Sequence, residues 1–289
     1  MKTRWTWLVT VMTVVGFQSA TATALEAAFK IPKGWAVAPE NDKGAGEAGY
    51  RIHHEHTGME LVWVPGGTFK MGGRHLPKTV IEDELPVHEV ELDGYWVGRT
   101  EVTVAQWRRV MKKVPAFNDR GDDHPVVNVT WNECREFCRR TGLVLPTEAR
   151  WEYAARGPQS LRFPWGEKWE ADKKHCYFWR PGDTGNWTRP VGSYPTGKSW
   201  CGAMDMAGNA SEWCADWYAA DYYARSPRRN PTGPDRGDRR VVRGGTFQYH
   251  RYPHDWRAGG HLSRMAGRHW HYPDDAGGSY GFRVCMGGP

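Results

Sequence analysis

Residues 142–157, GLVLPTEARWEYAARG, contain the start and stop signals of one short helix. Thr147 suits the N-cap, because its hydroxyl can accept a hydrogen bond from a backbone N–H of the first turn. Gly157 follows the last helical residues, where glycine commonly ends a helix. The stretch predicts a helix of about ten residues directly after Thr147.

The same signals occur twice upstream. Thr103 and Gln106 match a capping box at the start of VAQWRRVMKK. Thr130 or Asn132 opens a second helix, NECREFCRRTG, which Gly142 closes. No helix is predicted after the third one, so the sequence indicates few and short helices.

Composition favours a loop-rich globule. The 289 residues include 34 glycines, 19 prolines and 17 tryptophans, and the mean hydropathy is −0.71. Residues 59–73, MELVWVPGGTFKMGG, read as two strands joined by a Pro-Gly-Gly turn, which predicts a hairpin. The half after residue 158 has few regular elements, so disulfides, a metal ion or aromatic packing must hold it together.

The charge is mildly basic. The formal net charge is +6, and Lys2 and Arg4 supply two of these charges. Basic runs are short and interleaved with acids, whereas a nucleic-acid partner would require a clustered basic stripe. No nucleic-acid partner is therefore expected.

The N-terminus resembles a secretory signal. Residues 1–24 have a basic start, an apolar stretch too short to span a membrane comfortably, and small residues at its end. Cleavage after Ala22 or Ala24 would export the protein to the periplasm or the medium, with no membrane span left. The alternative is an uncleaved N-terminal anchor. Residues 25–57 read as a polar lead-in segment.

Nine sequence blocks occur in the order found in one protein family. They are VPGGTFKMGG, VGRTEVTVAQW, HPVVNVTWNECREFC, GLVLPTEARWEYAARG, FPWGE, PVGSYPTG, DMAGNASEWCADWY, RVVRGGTF and GFRVC. From about residue 60 to 286 the chain resembles the formylglycine-generating enzymes, also called sulfatase-modifying factors. The resemblance implies an α+β fold: a single compact, loop-rich domain over 58–289, with C-type-lectin-like topology and few short helices and strands. It also implies bound calcium and disulfides, and a monomer is expected.

One calcium site is implied by the resemblance. Its ligands would be the side chains of Asp205 and Glu212 and the backbone carbonyls of Gly208 and Ala210. Independently, DMAGNASE places two carboxylates and glycine-permitted carbonyls within eight residues, and calcium prefers such oxygen donors. The alternative is a capped turn in which Glu212 forms a salt bridge.

Six cysteines follow the signal, and in an exported protein cysteines are more often paired than free. Six cysteines allow 15 connectivities, so spacing alone does not define the pairs. The resemblance implies a bond between Cys138 and Cys285. A second bond, between Cys201 and Cys214, rests only on their proximity in sequence.

The chain departs from the family at the catalytic cysteines. In the enzyme that names the family, two cysteines after the R-G-G-S motif bind copper. Counting from Thr246, the matching positions are Tyr249 and His254, and neither supplies the thiolate that binds Cu(I) well. Ser211 and Ser279 also replace a family tryptophan and asparagine in or near the peptide-binding groove. Copper–thiolate conversion of cysteine to formylglycine is therefore not expected.

Histidines and aromatic residues fill residues 249–275 instead. Imidazoles there are suitable ligands for copper or iron, and the catalytic candidates are Thr246, Tyr249, His250 and His254. The alternative is that these side chains line a groove without a metal. Ser211, Ser279, Arg243 and Arg283 are the substrate-binding candidates, although such arginines are more often structural ion-pair partners.

Two functions remain open. The first is an exported oxidoreductase or accessory maturation protein that acts on a peptide, a protein or a peptide-derived metabolite. The alternative is a non-catalytic, calcium-stabilised, lectin-like ligand-binding protein. For His269 and His271, the simplest interpretation is two exposed side chains flanking a buried Trp270.

Overall fold

The computed structural model describes residues 31–73, 82–169, 175–178, 187–247 and 264–287. The predicted signal, residues 1–24, and the catalytic candidates Tyr249, His250 and His254 lie outside the described residues. Within the described ranges, no helix is long and apolar enough to cross a membrane.

The three predicted helices are confirmed. Thr103 and Thr130 each form a capping box, and Thr147 accepts a hydrogen bond from the backbone N–H of Arg150. Of the two candidate caps for the second helix, Thr130 is therefore the one used. Gly142 ends that helix in the left-handed conformation, at φ 70°. The helices are α1 (Val104–Met111), α2 (Trp131–Thr141) and α3 (Glu148–Arg156).

Eleven short strands accompany the helices in the described part of the chain. They form a five-stranded sheet of order β1-β2-β3-β6-β11, a four-stranded sheet of order β10-β7-β8-β9, and the pair β4-β5. The α+β class with few short elements is thus confirmed. The strands are β1 (Trp35–Val37), β2 (Arg51–His54), β3 (Glu60–Val64), β4 (Gly67–Met71), β5 (His88–Leu92), β6 (Tyr95–Gly98), β7 (Ser211–Trp217), β8 (Arg240–Arg243), β9 (His269–His271), β10 (Tyr280–Gly281) and β11 (Cys285–Gly287).

The predicted hairpin over residues 59–73 is wrong. Both strands exist, but β3 pairs with β2 and β6, whereas β4 pairs with β5 in another sheet. The Pro-Gly link carries the chain from one sheet to the next. A Cβ on Gly66 would lie 2.8 Å from the carbonyl oxygen of Leu92, so this crossing requires glycine.

Residues 31–57, the described part of the lead-in segment, are packed into the domain. Strands β1 and β2 extend the five-stranded sheet, with Ile52 opposite Leu61 of β3. Ile52 is fully buried in the core. Residue 57 therefore does not mark a physical boundary between a lead-in and a domain.

Aromatic packing holds the helices on the sheets. The rings of Trp107 in α1 and Phe137 in α2 are stacked with centroids 5.6 Å apart, and Phe282 meets both edge-on. Such pairs stabilise a core beyond the burial of their area. Aromatic packing is thus one of the forces that hold this loop-rich chain together.

All six cysteines are buried, and among the described residues no S–S bond joins Cys138 to Cys285 or Cys201 to Cys214. Cys285 exchanges both backbone hydrogen bonds with Val144, close to the end of α2. Burial, together with the nearby Cys285, raises the pKa of Cys138. The Cys138–Cys285 and Cys201–Cys214 bonds stay predictions.

Changing Ile52 tests whether the lead-in belongs to the domain. Ile52→Ala should lower the free energy of unfolding by about 2–5 kcal/mol, because it leaves a cavity in the core. Val37→Ala is the control, since Val37 in β1 is 44% exposed, and it should change stability by less than about 0.5 kcal/mol. Urea unfolding measures both, and equal small effects would contradict the integration of this segment.

Candidate functional site

A double-glycine turn follows β8. Gly244 and Gly245 have φ values of 91° and 71°, a backbone conformation that favours glycine. A Cβ on Gly244 would lie 3.2 Å from both the Trp151 ring and the Met206 carbonyl oxygen. The turn therefore lies directly on α3 and carries Thr246 at its far end.

The predicted calcium loop, residues 205–212, is joined to this turn by backbone hydrogen bonds. The N–H of Gly208 donates to the Gly244 carbonyl at 2.8 Å, and the N–H of Phe247 donates to the Asn209 carbonyl at 3.0 Å. The loop and the turn thus form one unit.

The structure also brings Ser211 and Ser279 to this unit. The hydroxyl of Ser211 donates to the Gly245 carbonyl at 2.7 Å, and its N–H donates to the Ser279 carbonyl at 2.9 Å. Both serines are buried. Three predicted site residues, Thr246 included, therefore lie on neighbouring segments, with the two serines beneath the surface.

Arg283 and Glu212 form a buried ion pair. The guanidinium of Arg283 donates to both oxygens of Glu212 at 2.6 Å, and the indole N–H of Trp151 donates to Glu212 Oε2 at 2.8 Å. Neither Arg283 nor Glu212 has any exposed surface. Glu212 thus adopts the salt bridge that the sequence left open as the alternative to a calcium ligand.

Asp205, in this loop, and the nearby Glu101 also have carboxylate oxygens that could bind a cation. Asp205 accepts one backbone N–H, from Gly192 at 2.6 Å, and burial raises its pKa to about 6. Glu101 Oε2 is buried and has no hydrogen-bond partner among the residues that the structure describes. Burial and the charges of Asp205 and Glu212 raise the pKa of Glu101 well above its usual value.

The negative charge of Asp205, Glu101 and Glu212 suits a hard cation, but their present geometry does not. The cluster holds three buried carboxylates against the single Arg283, and a cation would offset the excess negative charge. Among the described residues, no group of three or more His, Cys, Asp or Glu side chains is arranged to hold a metal ion. Asp205 and Glu101 are the side chains that could turn towards calcium, together with the Gly208 and Ala210 carbonyls.

Arg243 forms the floor beneath the double-glycine turn. Its guanidinium pairs with Glu148 at 3.3 Å and with Glu152, and it donates to the carbonyls of Met265 at 2.6 Å and Ala266 at 3.2 Å. Arg243 has no exposed surface. It therefore supports the site from below, as does Arg283, and neither guanidinium is exposed for direct contact with a ligand.

The same two glutamates bind two more arginines. Arg156 pairs with Glu152 at 2.5 Å. Arg268 forms a bidentate ion pair with Glu148, with N–O distances of 2.8 and 3.0 Å. Two carboxylates on α3 thus neutralise part of the charge of three buried guanidinium groups. This arrangement is called the α3 ion network below.

Sequence reasoning missed Glu101, Glu148, Glu152 and Trp151. The i, i+4 spacing of Glu148, Glu152 and Arg156 is visible in EARWEYAAR. Such spacing is usual on exposed helices, and nothing in the local sequence indicates that this charged face is buried.

The prediction that β9 has a buried Trp270 between two exposed histidines is wrong. Trp270 is the exposed residue, at 36%, while His269 and His271 are half-buried. Arg239 covers the Trp270 ring at 3.7 Å, and the Tyr280 hydroxyl lies 2.5 Å from His271 Nε2. The cation–π contact with Arg239 lets the Trp270 indole stay at the surface. The exposed and less exposed positions of β9 are therefore the opposite of those predicted.

Arg243→Gln tests the ion network. It should lower the free energy of unfolding by about 3–5 kcal/mol, because it leaves buried carboxylates without their partner. Arg228→Gln, at an exposed salt bridge with Glu89, should cost less than about 1 kcal/mol. Denaturant melts compare the two, and equal costs would show that the network contributes little.

Asp216 gives the stability a pH dependence. It is buried and accepts the N–H of Glu148 at 2.8 Å; burial and the charge of Glu148 raise its pKa to about 8. Between pH 4 and about 8 the folded state keeps a proton that an unfolded aspartate, with pKa near 3.9, releases. Stability should therefore fall as the pH rises through this window.

Asp216→Asn should flatten this slope, whereas Asp235→Asn, at an exposed position, should retain it. Urea midpoints at pH 5, 6, 7 and 8 measure the effect. An unchanged slope in Asp216→Asn would show that Asp216 is ionised in the folded protein throughout this range.

Comparison with known proteins identifies the family. Residues 50–287 match the sulfatase-modifying factor enzyme 1-like domain. The formylglycine-generating enzyme of Streptomyces coelicolor is 31% identical, over 86% of this chain and 96% of that protein. The formylglycine-generating enzyme of Thermomonospora curvata is 32% identical, over 79% of this chain and 93% of that protein. Among solved structures, PvdO from Pseudomonas aeruginosa superposes with a TM-score of 0.70 at 24% identity, covering 83% of this chain and 99% of that one. The chain therefore belongs to the sulfatase-modifying factor enzyme 1-like family.

Proposed function

We propose that this protein is an exported member of the family that modifies a peptide, a protein or a peptide-derived metabolite by a reaction that does not use copper bound to thiolates. One observation carries the proposal: counted from Thr246, Tyr249 and His254 stand where the enzymes that the sequence resembles carry copper-binding cysteines, and all six cysteines of the chain are buried. Burial raises the pKa of five of the six thiols, those of Cys134, Cys138, Cys201, Cys214 and Cys285. These five thiols are therefore disfavoured as thiolate ligands.

The surface around the turn at 244–246 is the proposed reaction site. Arg243, which precedes the turn, is anchored by buried ion pairs with Glu148 and Glu152, and the Ser211 hydroxyl donates to the Gly245 carbonyl. Such support keeps Thr246 in one position, as a residue that orients a substrate requires. The candidates Tyr249, His250 and His254 follow within eight residues of Thr246.

A transition metal held by imidazole is the proposed cofactor, with copper or iron as the candidates. Imidazole nitrogen suits both metals, and the histidines replace thiolate as the available donors. When bound, such a metal supplies redox chemistry, which supports an oxidoreductase. The relatives named formylglycine-generating enzymes, which match most of the chain, support a modifying role. Calcium at the 205–212 loop is proposed as a structural ion.

Export is proposed on the N-terminal sequence. The basic start, the short apolar stretch and the small residues up to Ala24 suit a cleaved signal. The periplasm or the extracellular medium would follow as the location.

The metal content of the purified protein tests the proposal. We expect calcium and one copper or iron ion per chain in the wild type, and loss of the transition metal alone in the double variant His250→Ala, His254→Ala. His56→Ala, an exposed histidine between β2 and β3, is the control and should keep both metals. Elemental analysis of protein purified without chelators gives the counts.

A double variant that keeps the transition metal would contradict the assignment of its ligands. A wild-type protein with calcium but no transition metal would overturn the metal-dependent reaction and favour a binding protein instead.

A non-catalytic binding role is the second candidate, and one surface favours it. Trp270 and Tyr272 are 36% and 46% exposed, and the Arg239 guanidinium lies within cation–π distance of both rings. Exposed aromatic rings held by arginine are typical of ligand-binding surfaces. Binding of a peptide or a glycan without turnover, lost in Trp270→Ala, would support this role.

A further inference from the structure

A pocket of about 190 Å³ lies beside residues 264–266, beyond the α3 ion network. Its volume equals that of roughly six water molecules, at about 30 Å³ each, so it can take a small polar group. Three arginines and one acid are among its described lining residues, which include Gly73, Arg156, Ser160, Arg162, Glu167 and Arg264.

Two of the arginines form a fixed wall. Arg156 is buried and pairs with Glu152. Arg264 forms a bidentate ion pair with Glu84, with N–O distances of 2.9 and 2.8 Å. Gly73 admits the Glu84 carboxylate, because a Cβ there would lie 2.1 Å from Glu84 Oε2. Both guanidinium groups are therefore held in place before any ligand arrives.

Arg162 differs from both. It makes no salt bridge among the described residues, and its Nε is buried without a hydrogen-bond partner. Burial and the charge of Arg264 lower its pKa. Glu167 is exposed and forms no ion pair with Arg162 in the described part of the chain.

Ser160 adds a second donor. Its Oγ accepts the backbone N–H of Lys70 at 2.8 Å, which leaves the hydroxyl hydrogen available for a ligand. The backbone of Ser160 is held by Arg156, which donates to its carbonyl at 2.8 Å. The pocket thus presents two donors that lack acceptors in the described ranges.

We propose that this pocket binds an oxyanion, the carboxylate, sulfate or phosphate group of a ligand, with Arg162 and Ser160 as its donors. A guanidinium matches the spacing of two oxyanion oxygens, and a charge-assisted bond would satisfy the buried Nε of Arg162. The wall also includes Ala266, whose carbonyl accepts from Arg243. The anion would thus lie beside the floor of the candidate site. Binding there requires neither the transition metal nor a reaction.

Direct titration of the full mature chain tests the proposal. Acetate, sulfate and phosphate are added separately, with sodium chloride keeping the ionic strength constant, and calorimetry gives each affinity. We expect saturable binding of at least one anion, and the order of affinities identifies the preferred group. In parallel, the Nε–H signal of Arg162 in the NMR spectrum should shift to saturation with the same dissociation constant.

Arg162→Gln should weaken binding about tenfold or more, because a charged hydrogen bond is lost. Arg139→Gln is the matched control, since Arg139 is exposed on α2 and pairs with Glu136; it should bind as the wild type does. If Arg162→Gln does not fold, the Nε–H titration of the wild type decides alone. No saturable binding of any anion, or binding by folded Arg162→Gln within twofold of the wild type, would overturn the proposal. Neither result would bear on the metal content.

Discussion

The buried ion network on α3 is the interaction on which the site depends. Glu148 and Glu152 face Arg156 of the same helix and Arg243 and Arg268 outside it, so one short helix is tied to two separate segments of the chain. Buried charges are tolerated only when they are paired, and each of these arginines also donates to backbone carbonyls. A loop-rich chain with short strands gains a defined geometry from such a network. The double-glycine turn lies on this support.

The network also holds the backbone of the candidate site. Within the described part of the chain, the floor contacts of Arg243 and Arg283 are made to α3, to β7 and to backbone carbonyls. Arg243 leads directly into the double-glycine turn, and Gly244 lies against Trp151 of α3. Buried ion pairs with residues distant in sequence therefore constrain the position of the turn.

The short-range features of the fold were predictable from sequence, and the long-range ones were not. Thr103, Thr130 and Thr147 cap helices through contacts within three residues, so their signals are local. The link at Pro65–Gly66 resembles a hairpin turn, but it joins different sheets, and only its distant neighbour Leu92 shows why glycine is needed. Among the site residues, the motif located Glu212 and Ser211, while the pairing of Glu212 with Arg283, 71 residues away, is a tertiary feature. The unpartnered oxygen of Glu101 and the charges of α3 likewise become visible only when burial is known.

The reactivity of the cysteines tests most directly whether copper–thiolate chemistry is absent. The native protein is treated with iodoacetamide after mild reduction, the modified cysteines are located by mass spectrometry, and Cu(I) binding is titrated before and after treatment. Burial of all six thiols predicts no alkylation in the native state and the same Cu(I) binding in both titrations. Alkylation of a cysteine in the folded protein, with loss of tight Cu(I) binding, would contradict this account and restore a thiolate site.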